Sequence, residues 1–329
     1  MRIPVILSIA LAYVGTVIGA GFASGQEVWY FFSRFGSNGI WGILVATAIF
    51  AVAGGVALDR GREGMDNFGT LLAHTYPSQM AKIFEGMTDA FLILGLIVCT
   101  SGGASTLAGF GVTSWAGRVV TLGTTLLLSY SSSTGITRVN LVVVPCLVTI
   151  IVMTSLLVHP IHLQSQEKIH SWFWLLSAIL YVSYNLFTAA MVLLGLGNQT
   201  RSQREAWIAS VIGAMILGTL LFTEHRILRG LDPLTNLPMV VAAFRIHSSF
   251  GIFYAASLWL ALLTTGLSIV FVFRQRYGKS LLPALLLTLI FPQGSFRVLV
   301  GHLYPVMGSL AVILWLPLFL SARGENERP

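Results

Sequence analysis

The chain has 329 residues, of which 55% are hydrophobic and only 9% are charged, and its mean hydropathy is +0.82. Soluble globular domains carry about 25% charged residues, so this composition excludes an ordinary water-soluble domain. The formal net charge is +7, but the 19 basic residues are scattered singly through loops and form no patch with interleaved aromatic residues. A nucleic-acid partner is therefore not expected, and residues 1–329 are predicted to form a single domain within a lipid bilayer.

About ten apolar segments follow one another along the chain, separated by short polar loops, and most are long enough to cross a bilayer. They cover residues 4–32, 37–58, 80–110, 116–131, 139–158, 168–196, 203–223, 250–273, 280–292 and 297–320. Lysine and arginine are more frequent in the loops on the side of the N-terminus, which predicts that both termini are cytoplasmic. The sequence thus predicts an all-α, multi-pass protein of the cell membrane.

The second five segments resemble the first five in the same order. Residues 12–20 align with residues 180–188, and the approach to Pro145 resembles the approach to Pro305. An odd number of spans per repeat places the second half upside down relative to the first, so a 5+5 inverted repeat is predicted. The two repeats are residues 4–158 and residues 168–321.

The first segment contains four glycines within the eleven residues of Gly15–Gly25. Each glycine costs roughly 1 kcal/mol relative to alanine inside a helix, so we expect this helix to unwind at mid-membrane. Free N–H groups after such a break would attract an anion, and free carbonyls before it would attract a cation. The alternative is close helix packing through the small residues Gly15, Gly19, Gly21 and Gly25.

The sixth segment contains polar residues at the matching depth, within Ser183–Thr188. An asparagine such as Asn185 is costly in hydrocarbon unless its amide has a partner. We therefore predict a second unwound segment in helix six. An asparagine that hydrogen-bonds to a neighbouring helix is the alternative.

These segments carry a resemblance to known transporters. Ala12–Gly21 resembles the unwound first helix of the bacterial leucine transporter and its relatives in the amino acid-polyamine-organocation superfamily. Gly19–Glu27 is similar to the first helix of the YkvI-type family of amino-acid permeases, and that resemblance extends over essentially the whole chain. It implies a leucine-transporter-like fold and secondary transport of a small organic solute, an amino acid or related carboxylate, by alternating access.

The sodium-coupled members of this fold imply a bound sodium ion. Matching motif to motif places its ligands at the carbonyls of Gly15, Ile18 and Ala261 and the hydroxyls of Thr264 and Thr265. Five neutral oxygens suit a hard monovalent cation. The alternative is that the two threonines simply hydrogen-bond to the preceding turn of their helix.

The predicted solute site is the broken backbone of helix one together with side chains chosen by depth and repeat position. Its residues are Gly19, Ala20, Gly21, Phe22, Thr100, Tyr184, Asn185, Phe187 and Ser268. The manganese and iron transporters of this fold have Asp-Pro-Gly in helix one and a Met-rich helix six, whereas this chain has Gly19-Ala20-Gly21 and a lone Met191. Divalent-metal transport is therefore not expected. Phe22 replaces an asparagine of the leucine transporter, which puts a second sodium site in doubt.

Four acidic residues lie in or near the segments, namely Glu27, Glu85, Asp89 and Glu224. Acids inside a membrane are functional candidates, so Glu27 and Asp89 are predicted to act in gating or proton relay. The alternative is that their side chains reach the lipid headgroups. No segment has a pair of polar groups with catalytic spacing, so an enzyme is not expected. A receptor subunit that binds a solute without moving it is the alternative function.

Overall fold

The computed structural model describes residues 2–65, 76–129, 133–158, 172–229, 235–278, 285–290 and 295–321. All regular structure within these ranges is helical. The helices are α1 (Ile3–Val17), α2 (Ala20–Ser24), α3 (Gln26–Phe31), α4 (Asn38–Arg62), α5 (Ser78–Ala108), α6 (Ser114–Ser129), α7 (Ser133–Leu157), α8 (Phe173–Gly197), α9 (Gln203–Leu228), α10 (Pro238–Ile246), α11 (Ser248–Tyr277) and α12 (Phe296–Ser321).

Five described helices are long and apolar enough to cross a membrane, because about 20 residues at 1.5 Å per residue span 30 Å of hydrocarbon. They are Asn38–Arg62, Ser78–Ala108, Phe173–Gly197, Gln203–Leu228 and Ser248–Arg274. Shorter apolar stretches occur at Ile3–Val17, Pro145–Leu157 and Phe296–Val312. Large apolar side chains such as Leu127, Leu156 and Ile290 are more than two-thirds exposed on the outside of the bundle. A multi-pass membrane protein accounts for both features, because an apolar outer surface is stable in contact with the lipid hydrocarbon.

Most predicted segments correspond to helices, with ends that differ by several residues. The ninth segment lies largely outside the described residues; only 285–290 are described, and 285–289 form a 3-10 helix. The sequence predicts a short amphipathic stretch after the second segment, at residues 68–76, and another after the seventh, at residues 237–246. The second of these is α10, whereas the first lies almost entirely outside the described residues.

Helices α1, α4, α8 and α9 pack on one another as one group. Glycines bring α4 and α8 into backbone contact: a Cβ on Gly61 would lie 2.0 Å from Leu194 O, and one on Gly197 would lie 2.2 Å from Leu58 O. At the end of the bundle that carries the N-terminus, Arg2 pairs with Glu205 at 3.0 Å. The Gln203 amide donates to Asp59 at 2.8 Å. These polar contacts join α1, α4 and α9 within the same group.

Helices α5, α6, α7 and α11 form a second group, in which α11 packs against the other three. The Trp259 indole donates to Thr121 Oγ1 at 3.2 Å and so joins α11 to α6. Arg274 donates to Ser129 O at 2.6 Å, and Arg276 pairs with Asp89. Helix α12 packs against both α8 and α5.

The chain leaves helical geometry inside the predicted glycine-rich segment. Helix α1 ends at Val17, and α2 begins at Ala20. Ile18 has φ −74° and ψ 83°, the angles of an inverse γ-turn, and Gly19 is extended with φ −95° and ψ −175°, so neither residue is helical. Gly25, between α2 and α3, has φ 82°, a left-handed conformation that glycine adopts without steric cost.

The predicted unwinding of helix six is wrong, because α8 is continuous from Phe173 to Gly197. Its polar side chains bond to their own helix. Ser183 Oγ donates to Ile179 O at 2.7 Å and Asn185 Nδ2 donates to Tyr181 O at 3.0 Å. These groups find partners without a break in the backbone, which is the usual way for hydroxyls and amides to be accommodated inside a membrane helix.

Candidate functional site

The interruption between α1 and α2 changes which backbone groups are paired. Gly19 N–H bonds to Val17 O at 2.8 Å, rather than to Gly15 O as a continuous helix would require. Ala23 N–H bonds to Gly19 O at 3.0 Å and starts the new helix. The Gly15 carbonyl therefore loses its usual helical partner beside the break. Backbone groups left without a partner in hydrocarbon cost several kcal/mol each, so they mark a place where a ligand or polar side chain is needed.

The Glu27 carboxyl lies against the start of α2. A Cβ added to Gly21 would come within 1.9 Å of Glu27 Oε1, and the Phe22 backbone N–H also faces this carboxyl. By contrast, no atom lies within 4 Å of a Cβ added to Gly19. The turn at Gly25 lets Glu27, in the first turn of α3, reach back over α2. An internal carboxylate thus occupies the place predicted for the carboxylate of the solute.

The short helix α2 is anchored at its other end. The Tyr254 hydroxyl of α11 donates to Ala23 O at 2.7 Å. Ser24 Oγ donates to Gly21 O at 2.7 Å, and the Gln26 side-chain amide donates to Thr235 O. The Tyr254 bond holds the segment that follows the break against α11 of the second helix group.

A second buried acid lies near Glu27. Glu224 is 0% exposed and Glu27 is 3% exposed, and the two carboxyls are close enough to interact electrostatically. Among the described residues, neither oxygen of Glu224 has a hydrogen-bond partner, and the same holds for Glu27 Oε2 and the Tyr181 hydroxyl. Tyr181 interacts electrostatically with both acids.

Aromatic rings surround these acids. Tyr184 lies beside Glu27, and its ring centroid is 5.7 Å from that of Tyr181 and 4.7 Å from that of Tyr304. The Phe31 ring lies 5.4 Å from the Tyr181 ring. The site is therefore a closed, largely aromatic compartment that contains two carboxyls.

The sequence analysis did not identify most of the residues that surround these two acids. Tyr181, Tyr254 and Tyr304 carried no assigned role, although Tyr181 aligns with Tyr13 in the internal repeat. Glu224 is predicted only to lie near a segment, because the predicted seventh segment ends at residue 223. In the structure α9 continues to Leu228, which keeps Glu224 inside the bundle.

The remaining predicted solute residues make ordinary contacts. Thr100 Oγ1 donates to Leu96 O at 2.7 Å, and Ser268 Oγ donates to Thr264 O at 2.9 Å. The Phe187 ring centroid lies 4.4 Å from that of Phe91. Of the side chains chosen by depth, Tyr184 lies beside Glu27, and Asn185 bonds within its own helix.

The predicted sodium ligands lie on two elements. Gly15 and Ile18 are at the break, whereas Ala261, Thr264 and Thr265 are on α11, the helix that packs against α2. Thr264 Oγ1 donates to Ala261 O at 3.0 Å. A sodium ion at these oxygens stays a prediction. Within the described ranges, no three His, Cys, Asp or Glu side chains come together as a metal site.

Asp89 lies far from the Glu27 compartment along α5, near the end of α11. Its carboxylate accepts from Arg276 and from the Tyr277 hydroxyl. This ion pair joins α5 to α11 within the second helix group. The predicted gating role of Asp89 stays a prediction.

No family model matches the chain. Over 324 residues it is 27% identical to the uncharacterized membrane protein YkvI of Bacillus subtilis (strain 168), and the match covers 93% of each chain. Over 332 residues it is 28% identical to the uncharacterized protein YyaD of the same organism, covering 94% of this chain and 95% of the relative.

Two solved structures show the fold. A variant of the manganese transporter of Eremococcus coleocola matches with a TM-score of 0.63 at 14% identity, over 96% of this chain and 78% of the transporter. The inward-facing conformation of Mhp1 matches with a TM-score of 0.51 at 15% identity, over 97% of this chain and 71% of that chain. The name of the first of these proteins states manganese transport, and the resemblance of this chain to both proteins is a likeness of fold.

Proposed function

We propose that the chain is a secondary transporter that moves a small organic solute by alternating access. The observation that carries this proposal is the interruption of the first spanning segment at Ile18 and Gly19. A backbone break at membrane depth persists only where protein, water or a ligand satisfies the freed groups. The fold shared with a manganese transporter supports a transport function, although not the choice of an organic solute.

The grouping of the helices supports a rocking motion. Helices α1, α4, α8 and α9 are joined by glycine contacts and by the Arg2–Glu205 pair. Helices α5 and α11 of the second group are joined by the Arg276–Asp89 pair. Because each of these ion pairs lies within one group, the groups can move against each other without breaking them.

We infer that the two halves of the chain form a 5+5 inverted repeat, so that each helix group takes helices from both halves. Tyr13 and Tyr181 occupy matching places in the repeat alignment and contact the same ring. The Phe50 ring centroid lies 6.2 Å from that of Tyr13 and 6.0 Å from that of Tyr181, with nearly perpendicular planes in both cases. Paired contacts to one residue are consistent with a pseudo-two-fold relation between α1 and α8.

The proposed cargo is an amino acid or a related carboxylate. Its carboxylate would bind at the start of α2, where Glu27 now lies against Gly21 and Phe22. Two carboxylates cannot share this place, so Glu27 must swing away before the cargo binds. Glu27 would therefore act as a gate that occupies the anion position in the absence of cargo.

Sodium is the proposed coupling ion. Gly15 O lacks its helical donor beside the break, and Thr264 and Ala261 lie on the helix that packs against α2. Carbonyl and hydroxyl oxygens suit sodium rather than a soft metal. The ion would join the first helix to α11 and so couple its own binding to the position of the break.

The test is a thermal-unfolding screen of amino acids and related carboxylates with the purified chain, in sodium and in choline buffer. A ligand at 100 times its Kd stabilises the folded state by about 2.7 kcal/mol. We expect stabilisation that requires sodium and that is lost in Thr264→Val. Thr149→Val is the matched control, because Thr149 is an exposed threonine on α7 that only bonds to Pro145 O.

Uptake by proteoliposomes then separates transport from sensing. Sodium-dependent accumulation of the stabilising solute would support the transporter. Binding without any uptake or counterflow would identify a solute-sensing protein instead. Equal stabilisation in sodium and in choline would show that sodium coupling is wrong.

A further inference from the structure

The two buried acids have no assigned ligand. Glu27 is in α3 and Glu224 is in α9, and both are almost fully buried inside the bundle. Neither Glu224 oxygen has a hydrogen-bond partner within the described part of the chain. The Tyr181 hydroxyl, itself 0% exposed and without a partner there, is close to both carboxyls. The two carboxyls and the Tyr181 hydroxyl are therefore buried near one another, yet they form no hydrogen bonds with one another.

The groups that face this compartment are mostly neutral. The titratable ones are Tyr181 and Tyr184 from α8, Tyr254 from α11, Tyr304 from α12 and His225 from α9 itself. The Nδ1 atom of His225 lies 3.1 Å from Ser33 Oγ, whereas its Nε2 atom is buried and has no hydrogen-bond partner among the described residues.

The arginines that follow α3 and α9 along the chain are engaged elsewhere. Arg34 stacks on the Tyr30 ring with its guanidinium carbon 3.9 Å from the ring centroid, and Arg229 bonds to Ser37 Oγ at 3.5 Å. The negative charge of two ionised carboxylates would thus have no adjacent cation among the described side chains. An isolated ionised carboxylate in a medium of low dielectric constant costs tens of kcal/mol by Born solvation, so such a group takes up a proton instead.

We propose that Glu27 and Glu224 together form a proton-binding site. In the closed arrangement that the structure shows, at least one of the two carboxyls carries a proton on oxygen. When the helix groups separate and water enters, that proton passes to a water molecule and the carboxyl becomes an anion. The protons belong to the pair rather than to either residue, because two carboxyls that share a site titrate together.

The position of Glu27 connects this site to the break. Its carboxyl lies over Gly21 at the start of α2, so a change of charge on Glu27 acts directly on the segment that follows the break. Release of the proton would therefore accompany movement of α2 and α3. This coupling role rests on the proposed transport function, whereas the proton site itself does not.

Infrared spectroscopy of the purified full chain tests the site without a known solute. A protonated carboxyl shows a carbonyl stretch that an ionised carboxylate lacks, and this band shifts in D2O. We expect the band at neutral pH and its loss at alkaline pH. Glu27→Gln and Glu224→Gln should each weaken the band or shift its frequency, and the double variant should lose all of it.

Glu85→Gln is the matched control, because Glu85 is an exposed acid on α5. It should keep the whole band. The proposal is overturned if the unsubstituted protein has no protonated-carboxyl band at neutral pH, a result that does not depend on whether any variant folds. It is also overturned if the band survives in the double variant. A protein that binds a solute without moving it would still show the band, so the two proposals fail separately.

Discussion

At the scale of single residues, the space around each glycine near the break determines whether that glycine can be replaced by alanine. Gly19 and Gly21 are two positions apart, yet an added Cβ meets open space at the first and a carboxyl oxygen 1.9 Å away at the second. Glu27 is buried on all sides, so its side chain has little room to yield. Gly21 is thus required by the position of Glu27, and Gly19 is not.

We predict that Gly21→Ala lowers the free energy of unfolding by roughly 1–3 kcal/mol, the usual cost of overpacking a buried site. Gly19→Ala should change it by less, because its φ of −95° is accessible to alanine and nothing lies within 4 Å. Thermal unfolding of both variants in the same detergent is the measurement. Equal stability of the two variants would show that the Glu27 carboxyl does not lie against Gly21.

At the scale of elements, the first helix group depends on close backbone contact between α4 and α8. Gly61 and Gly197 provide this contact. A Cβ atom at either position would overlap a backbone carbonyl of the other helix, so only glycine allows the helices to approach this closely. Close packing of small residues is the main source of helix association where the hydrophobic effect between helices is absent. These glycines are therefore structural, unlike those at the break.

Gly61→Ala should separate α4 from α8 and lower the free energy of unfolding by about 1–3 kcal/mol, despite the gain in helix propensity. Gly123→Ala on α6 is the control, since nothing lies within 4 Å of its added Cβ. It should raise stability by up to about 1 kcal/mol. If Gly61→Ala unfolds at the same temperature as Gly123→Ala, the contact with Leu194 is not formed.

At the scale of the whole molecule, the charged contacts are concentrated at the end that carries the N-terminus. The ion pairs of Arg2, Arg62 and Arg276 with Glu205, Asp59 and Asp89 all lie there. An excess of basic residues on one side marks the cytoplasmic face. The predicted orientation therefore assigns this end of the bundle to the cytoplasm.

Cysteine labelling across α4 tests the orientation, because Ser37 precedes this helix and Glu63 follows it, about 39 Å apart at 1.5 Å per residue. In a background with Cys99 and Cys146 replaced by alanine, Ser37→Cys should react with an impermeant maleimide on intact cells. Glu63→Cys should react only after lysis. The reverse pattern would place both termini outside.

The sequence by itself determined the class of the protein and the position of most helices. Hydropathy and charge are local properties, so the all-helical architecture, the apolar segments that coincide with described helices and the location of the glycine-rich stretch could be read from short windows. The short helix α10 was predicted for the same reason, by its own amphipathic pattern.

Only the tertiary structure decided which of the two predicted breaks is present and what occupies the site. Helix α8 stays continuous because Ser183 and Asn185 bond to carbonyls of their own helix, an outcome that their polarity alone does not distinguish from unwinding. Glu224 is buried, and Glu27 takes the anion position, because helices distant in sequence close over them. Contacts of this kind depend on how whole helices pack, and no local pattern of residues encodes them.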